Sequence, residues 1–288
     1  MSGSRVNPPP PPQPETSLKP SLTVTLLSIL VPVLAVTILY RHDPFDPAPL
    51  LVHGMSGSVA APRENSRMLL GAEMVGAGRM AGPEDVAYDP ASGVIYVGCA
   101  DGWVKRVKVS DPGSDYEVED WVNTGGRPLG LAFGRDGELI VCDPYKGLLK
   151  VNKHDRTVEL LTDEAEGRKF NLTDAVDVTG DGTIYFTNAS YKYTLKEVIW
   201  DILEGRPHGR FLSYDPATKE TKVLARDLYF PNGVALSHDQ SFVIFCEIVM
   251  RWCKRYYING ERKGHIDTFI DHLPGYLDNI RYDGEGHY

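Results

Sequence analysis

Residues Leu172–Tyr193 read LTDAVDVTGDGTIYFTNASYKY. A short apolar run meets a Gly-Asp-Gly turn and is followed by a second run rich in β-branched and aromatic residues, which predicts two antiparallel strands. The unit recurs along the chain. Its first strand is PEDVAYD at Pro83, RPLGLAFG at Arg127, LTDAVDV at Leu172, FPNGVALS at Phe230 and YLDNIRYD at Tyr276. The turns that follow are PASG, RDG, GDG, HDQ and GEG, and the second strands are VIYVGCA, ELIVCD, TIYFTNA and SFVIFCE. In the first, second and fourth copies a third strand follows closely, as GWVKRVKV, GLLKVN and RWCKRYYI. Aligned on Glu84, Leu129, Thr173, Asn232 and Asp278, most copies stand about 45 residues apart, the size of one four-stranded propeller blade. A β-sandwich would turn at shorter spacing and without such self-similarity. The expected class is therefore all-β, a β-propeller.

The interval from Thr173 to Asn232 is longer and contains an inserted helix. Thr194-Leu-Lys-Glu197 has the capping-box pattern. Leu195, Val198, Ile199, Ile202 and Leu203 form one apolar stripe at helical spacing, and Gly205 suits the stop. Such an insert is expected to lie across one end of the propeller, as a packing element or as a lid over substrate. Tyr191, Lys192 and Tyr193 just before it could line the mouth of a tunnel or simply pack. His208 is expected to make a structural hydrogen bond.

The flanks and composition bound the rest. The chain has 288 residues, 42% hydrophobic and 24% charged, with a formal net charge of −9. That suffices for a sizeable core, and the absence of a basic run argues against a nucleic-acid partner. Residues 1–20 include PPPPPQP and read as a disordered tail. Residues 21–40, SLTVTLLSILVPVLAVTILY, carry no charge over 20 positions, enough to cross about 30 Å of hydrocarbon as a helix that tolerates Pro32. A cleaved signal peptide or a core helix would pass the same test of composition. Residues 41–66 read as a linker and residues 67–288 as a partial propeller. Four blades are nearly complete and a fifth begins at Leu273, so the sequence reads as a fragment, an alternative product or an incomplete gene model.

The sequons Asn171-Leu-Thr and Asn188-Ala-Ser lie beyond the apolar run and fit glycosylation in a lumenal domain. With them the apolar run reads as a type II signal anchor, the N-terminus cytosolic. Cys246 and Cys253 flank an expected hairpin tip. They either form a disulfide in an oxidising lumen or remain two buried thiols. Cys99 and Cys142 sit inside apolar strand patterns, and no Cys-x-x-Cys spacing suggests zinc.

The segments YFTNASYKY, HGRFLSYDPATKETKVL, YFPNGVALS and WCKRYY, with the PEDVAYD and RPLG copies, closely resemble strictosidine-synthase-like proteins over residues 65 to 288. The resemblance implies a six-bladed propeller, entry into the secretory pathway and, in some members, an N-terminal anchor. The endoplasmic reticulum, the vacuole and the cell surface are the destinations this implies. Strictosidine synthase itself condenses tryptamine with secologanin using a glutamate of its last blade. None of these residues reaches that blade, so no catalytic residue is assigned, and the strict synthase reaction is not expected of them.

The fold so implied is shared with calcium-dependent paraoxonases and gluconolactonases, which hold a metal at the starts of their inner strands. By position in the repeat, Glu84, Asn232, Asp278 and Asn279 match those ligands, and carboxylate and amide oxygens suit Ca2+. Thr173 stands where the paraoxonases have an asparagine ligand, and Leu129 where they have a histidine base. Asp85 and Asp174 read as residues of a recurring strand-entry turn. Three functions stay open at this point: a propeller scaffold for small-molecule chemistry, a calcium-dependent esterase or lactonase, and a non-catalytic endomembrane binding or adhesion protein. Oligomeric state is not legible.

Overall fold

A computed structural model describes residues 21–50, 70–108 and 116–288. The tail read at residues 1–20 and most of the linker, residues 51–66, lie outside the described residues. The chain divides into two units, Met1–Asp46 and Pro47–Tyr288.

In the first unit, α1 spans Leu22–His42, capped by the Ser21 hydroxyl, which accepts the Val24 N–H at 3.3 Å. Pro32 removes one ladder hydrogen bond without ending the helix. The stretch Leu22–Arg41 is long and apolar enough to cross a membrane, and none of it is buried.

The second unit is mostly β. Sheet one comprises β1 (Val86–Asp89), β2 (Val94–Gly98), β3 (Trp103–Lys108) and β4 (Val118–Asn123). Sheet two comprises β5 (Leu131–Phe133), β6 (Leu139–Asp143), β7 (Gly147–Val151) and β8 (Val158–Thr162). A two-stranded ribbon follows, β9 (Glu164–Ala165) and β10 (Arg168–Lys169). Sheet three has β11 (Leu172–Val178), β12 (Ile184–Ser190), β13 (Gly209–Asp215) and β14 (Glu220–Leu228), with the helical insert between β12 and β13. Sheet four has β15 (Pro231–Leu236), β16 (Phe242–Glu247), β17 (Trp252–Tyr257) and β18 (Ile266–Ile270). Every sheet is an antiparallel meander in chain order, as in successive propeller blades. Chain direction therefore alternates. The starts of β1, β5, β11 and β15 share one end with the connections between second and third strands; we call this the upper end.

The sheets pack face to face. Tyr96, Val104 and Trp121 of sheet one share a core with Leu131, Leu139 and Leu149 of sheet two. Ile140 and Leu148 continue the stack to Val176, Phe186 and Leu212 of sheet three. Tyr185 and Phe211 carry it to Val234, Val243 and Phe245 of sheet four, with the Phe211 and Phe245 rings stacked at 4.6 Å. Each fully buried side chain of this size contributes about 1.5–3 kcal/mol. Cys142 lies in the core between sheets two and three and Cys99 is buried with Val97 and Val107 of sheet one, as their sequence context implies. Cys246 and Cys253 face each other across β16 and β17 and are joined as a disulfide.

The inner strands approach closely. Gly130 donates its N–H to Asp174 O at 2.8 Å, and a Cβ there would sit 2.4 Å from that oxygen. The two carboxylates Asp85 and Asp177 reach across to the next inner strand, accepting the N–H groups of Leu131 and Leu236, each at 2.8 Å. Tyr276–Asp283, expected as a fifth inner strand, is instead irregular. A strand needs a ladder partner, and among the described residues none pairs with this segment. The segment still docks: Asp278 O lies against Gly233, while Leu277 and Ile280 pack on Ile244, Cys246 and Cys253.

Arg281 ties this segment to all four sheets. Its guanidinium pairs with Asp85 and donates to Leu131 O at 2.8 Å, Val176 O at 3.4 Å and Val234 O at 3.5 Å. Arg281→Ala would strand a buried carboxylate and, with Arg281 itself partly exposed and screened, is expected to cost about 2–3 kcal/mol in urea unfolding, below the roughly 3–5 kcal/mol of a fully buried pair. Adding Asp85→Asn should recover part of that loss, and strict additivity of the two changes would contradict a direct coupling.

Candidate metal and substrate site

The upper end carries the sequence-predicted ligands. Glu84 precedes β1, and its Oε1 accepts the Asn279 side-chain amide at 2.8 Å. Its Oε2 is buried and meets no donor among the described residues. Asn232 opens β15, is 4% exposed, and donates Nδ2 to Asp174 Oδ2 at 3.1 Å. That bond turns the Asn232 Oδ1 the other way, where it too is buried without a donor. Asp278 and Asn279 are exposed, and the contact of Asp278 O with Gly233 sets Asp278 beside Asn232 in the chain fold.

Electrostatics joins the two halves. Burial raises Glu84 to about 7, helped by Asp85 and Asp278, while the Asn279 hydrogen bond and Arg127 work the other way. Asp174 is held well above the usual carboxylate range by burial and then by Glu84, Asp278 and Asp85. Acids gathered in this way disfavour their own ionisation unless a cation joins them. With its hydrogen bond to Asn232, this clustering makes Asp174 a candidate site residue, although its sequence context showed only a turn. Its signal, a carboxylate at the strand start beside the aligned Thr173, was present but shared with Asp85.

The two departures from the paraoxonase pattern have structural roles. The Thr173 hydroxyl donates to Asp143 O at 2.7 Å, so it is committed to the sheet-two connection. Leu129 packs with Leu172, Ala189 and Phe230 beneath the helical insert. Among the described residues no group of three His, Cys, Asp or Glu side chains is placed to hold a metal ion. The set here mixes carboxylates with amide oxygens, and its two partnerless buried oxygens fit a hard cation.

The insert comprises a 3₁₀ turn at Leu195–Glu197 and α2 (Val198–Glu204). Thr194 N–H donates to Glu197 Oε2 at 3.1 Å as the capping box predicts, and Gly205 takes the left-handed conformation at φ 64°. The expected apolar stripe is corrected. Leu195, Val198 and Ile202 pack downward, but Ile199 and Leu203 face outward with Trp200, each at least half exposed. Asp201 and Glu204 take the buried face because partners await them there. His208 Nδ1 lies 3.2 Å from Asp201 Oδ2, and Lys192 Nζ lies 2.5 Å from Glu204 Oε1. Buried carboxylates are tolerated when paired in this way.

The sequons fare differently from expectation. Asn188 is fully buried on β12, and its Oδ1 accepts the Leu172 N–H, so the folded chain has no room for a glycan there. Asn171 is half-buried and spends its amide on Tyr191 O at 2.8 Å and Lys192 O at 3.2 Å.

Comparison with known proteins supports the architecture and the lineage. The strictosidine synthase family profile matches residues 174–261, and the profile of the strictosidine synthase-like N-terminal region matches residues 64–107. Strictosidine synthase-like protein 7 of Arabidopsis thaliana is 55% identical over 265 residues, covering 91% of this chain and 71% of the relative. Human adipocyte plasma membrane-associated protein is 36% identical over 273 residues, covering 91% and 65%. Among solved structures, a gluconolactonase of Xanthomonas campestris aligns with TM-score 0.58 at 18% identity, covering 72% of this chain and 68% of its own. The calcium-binding protein regucalcin of Agrobacterium tumefaciens aligns with TM-score 0.54 at 18% identity, covering 72% and 66%.

A carboxyl whose folded value is raised makes its stabilising contribution below the unfolded value and loses it as pH rises through the folded one. For Glu84 that window runs from the ordinary 4.5 to about 7. Metal-free protein should therefore lose stability between those limits, by about 1–2 kcal/mol from this group after allowance for solvent screening. Glu84→Gln should flatten that part of a melting-temperature profile, and an unchanged slope would remove Glu84 from the account.

Proposed function

This chain belongs to the strictosidine synthase-like family, and we propose that its upper end is a small-molecule site of hydrolase type, built to work with calcium. The observation that carries this reading is the pair of buried oxygens, Glu84 Oε2 and Asn232 Oδ1, that meet no donor. Leaving a buried acceptor unsatisfied costs about 1–3 kcal/mol, and a cation in the site would recover it. Glu84 and Asn232 would hold the ion, with Asp174, Asp278 and Asn279 around it. A divalent ion bound there would supply Lewis acidity towards the carbonyl of an ester or lactone.

The chain's own residues divide the remaining work. Asp174 aims the Asn232 amide through the 3.1 Å hydrogen bond, and Asn279 orients Glu84. Leu129 stands where the paraoxonases have a histidine base and packs with Leu172 and Phe230, so it offers no imidazole. Without that base, turnover should be modest, since a positioned general base is worth about 10²–10⁴-fold.

The same reading makes α1 a signal anchor and the propeller a lumenal domain, six-bladed in the full-length family pattern. Support comes from the uncharged length of the helix and from the Cys246–Cys253 disulfide, which suits an oxidising compartment. In sealed microsomes the propeller should resist protease until detergent is added; digestion of intact vesicles would place it in the cytosol.

Two measurements test the chemistry. Turnover of aryl esters or lactones should be chelator-sensitive and at least tenfold lower in Asn232→Ala, with the fold retained. Calcium affinity, read by calorimetry, should weaken about tenfold per pH unit below about 7, because Glu84 must release its proton to bind. Turnover indifferent to chelator, or affinity flat with pH, would end the proposal.

A further inference from the structure

A second site lies at the upper end of sheet three, separate from the carboxylate cluster. A cleft of about 200 Å³ is lined by Glu166, Arg168, Tyr191, Arg210, Arg226 and Asp227. Local backbone places each of them. The β9–β10 ribbon turns through Glu166 and Gly167, both left-handed at φ 53° and 72°, and so presents Arg168 at the start of β10. The Arg168 guanidinium lies 4.1 Å from the Tyr191 ring centroid. Arg210 enters from β13, where it pairs in register with Asn188 of β12. Arg226 and Asp227 come from the irregular end of β14, where Asp227 is also left-handed.

The charges do not balance pair by pair. Arg226 is committed to Glu166, its two nitrogens 3.2 and 3.1 Å from the carboxylate oxygens. Arg210 is 5% exposed and donates only to neutral carbonyls: Ala165 O at 3.1 Å, and Arg168 O and Lys169 O at 3.3 Å. Its Nε has no acceptor. Among the described residues neither Arg168 nor Arg210 has a carboxylate at ion-pair distance. Burial, and then the nearby Arg168, pull Arg210 below the usual guanidinium range. Two guanidiniums facing one aromatic ring, neither ion-paired although Glu166 and Asp227 also line the cleft, is an arrangement that an incoming anion would relieve.

We propose that this cleft binds a small oxyanion, the carboxylate or phosphate group of a small-molecule ligand, between Arg168 and Arg210 against Tyr191. The volume admits an inorganic phosphate or a short carboxylic acid and excludes a folded partner. The inference does not depend on calcium binding, because it uses none of the carboxylate-site residues.

The test uses calcium-free, detergent-solubilised full chain. Its melting temperature is followed against inorganic phosphate, and separately against succinate, with chloride at matched ionic strength as reference. At millimolar concentration one or both anions should raise the melting temperature by about 2–4 °C over chloride. A response to phosphate alone or to succinate alone supports the site and identifies its preferred headgroup. Arg168→Ala should weaken the response at least tenfold in concentration, measured as the shift over its own anion-free melting temperature, since removing this exposed side chain takes away one arm of the site and its stacking on Tyr191. Arg168→Lys should fall between, keeping charge but losing the planar fork. A shift equal to that of chloride, or an undiminished response in Arg168→Ala, overturns the proposal.

Discussion

Arg281 is the interaction on which the most structure depends. One guanidinium reaches Asp85 and three carbonyls, Leu131, Val176 and Val234, that belong to sheets two, three and four. A planar fork with five donors can do this; an ammonium of similar charge cannot. The contact fixes where the inner strands meet. Glu84, Asp174 and Asn232 stand at or beside the starts of three of the strands it joins. The tight backbone approaches at Gly130 and Gly233 serve the same end, since any side chain there would force the sheets apart.

Around that centre the upper end separates its charges. Near the inner strand starts, burial collects carboxylates and raises the values of Glu84 and Asp174. On the outer side of sheet three, guanidiniums gather round Tyr191. The helical insert packs on Leu129 and Phe230, held by Asp201 and Glu204 from beneath and showing Ile199, Trp200 and Leu203 outward. The net charge of −9 conceals this division. A chain average carries no information about which residues a fold brings face to face.

The blades, their turns and the insert were legible because they are local. Strand periodicity, turn residues and the capping box act within a few positions of themselves, so a repeat in sequence becomes a repeat in structure. The errors were all tertiary. Ile199 and Leu203 have the spacing of a packed stripe, yet the buried positions beside them went to Asp201 and Glu204 once His208 and Lys192 were in place. Asn188 satisfies a glycosylation pattern but sits in the middle of a buried strand. Tyr276–Asp283 has the pattern of an inner strand and docks as one, but no strand among the described residues completes its ladder.

By itself, the sequence determined that the chain is built of repeated four-stranded units behind an apolar helix, and which family it joins. Backbone preference and hydrophobic alternation are short-range effects that any reader of the chain can apply. Only the tertiary structure decided that Glu84 and Asn279, 195 residues apart, share a hydrogen bond. It also decided that Asp174 hydrogen-bonds Asn232 and that Arg210 is a buried cation with no carboxylate at ion-pair distance among the described residues. Desolvation and unsatisfied hydrogen bonding depend on what surrounds a group in space, and neighbours in space here come from four different sheets.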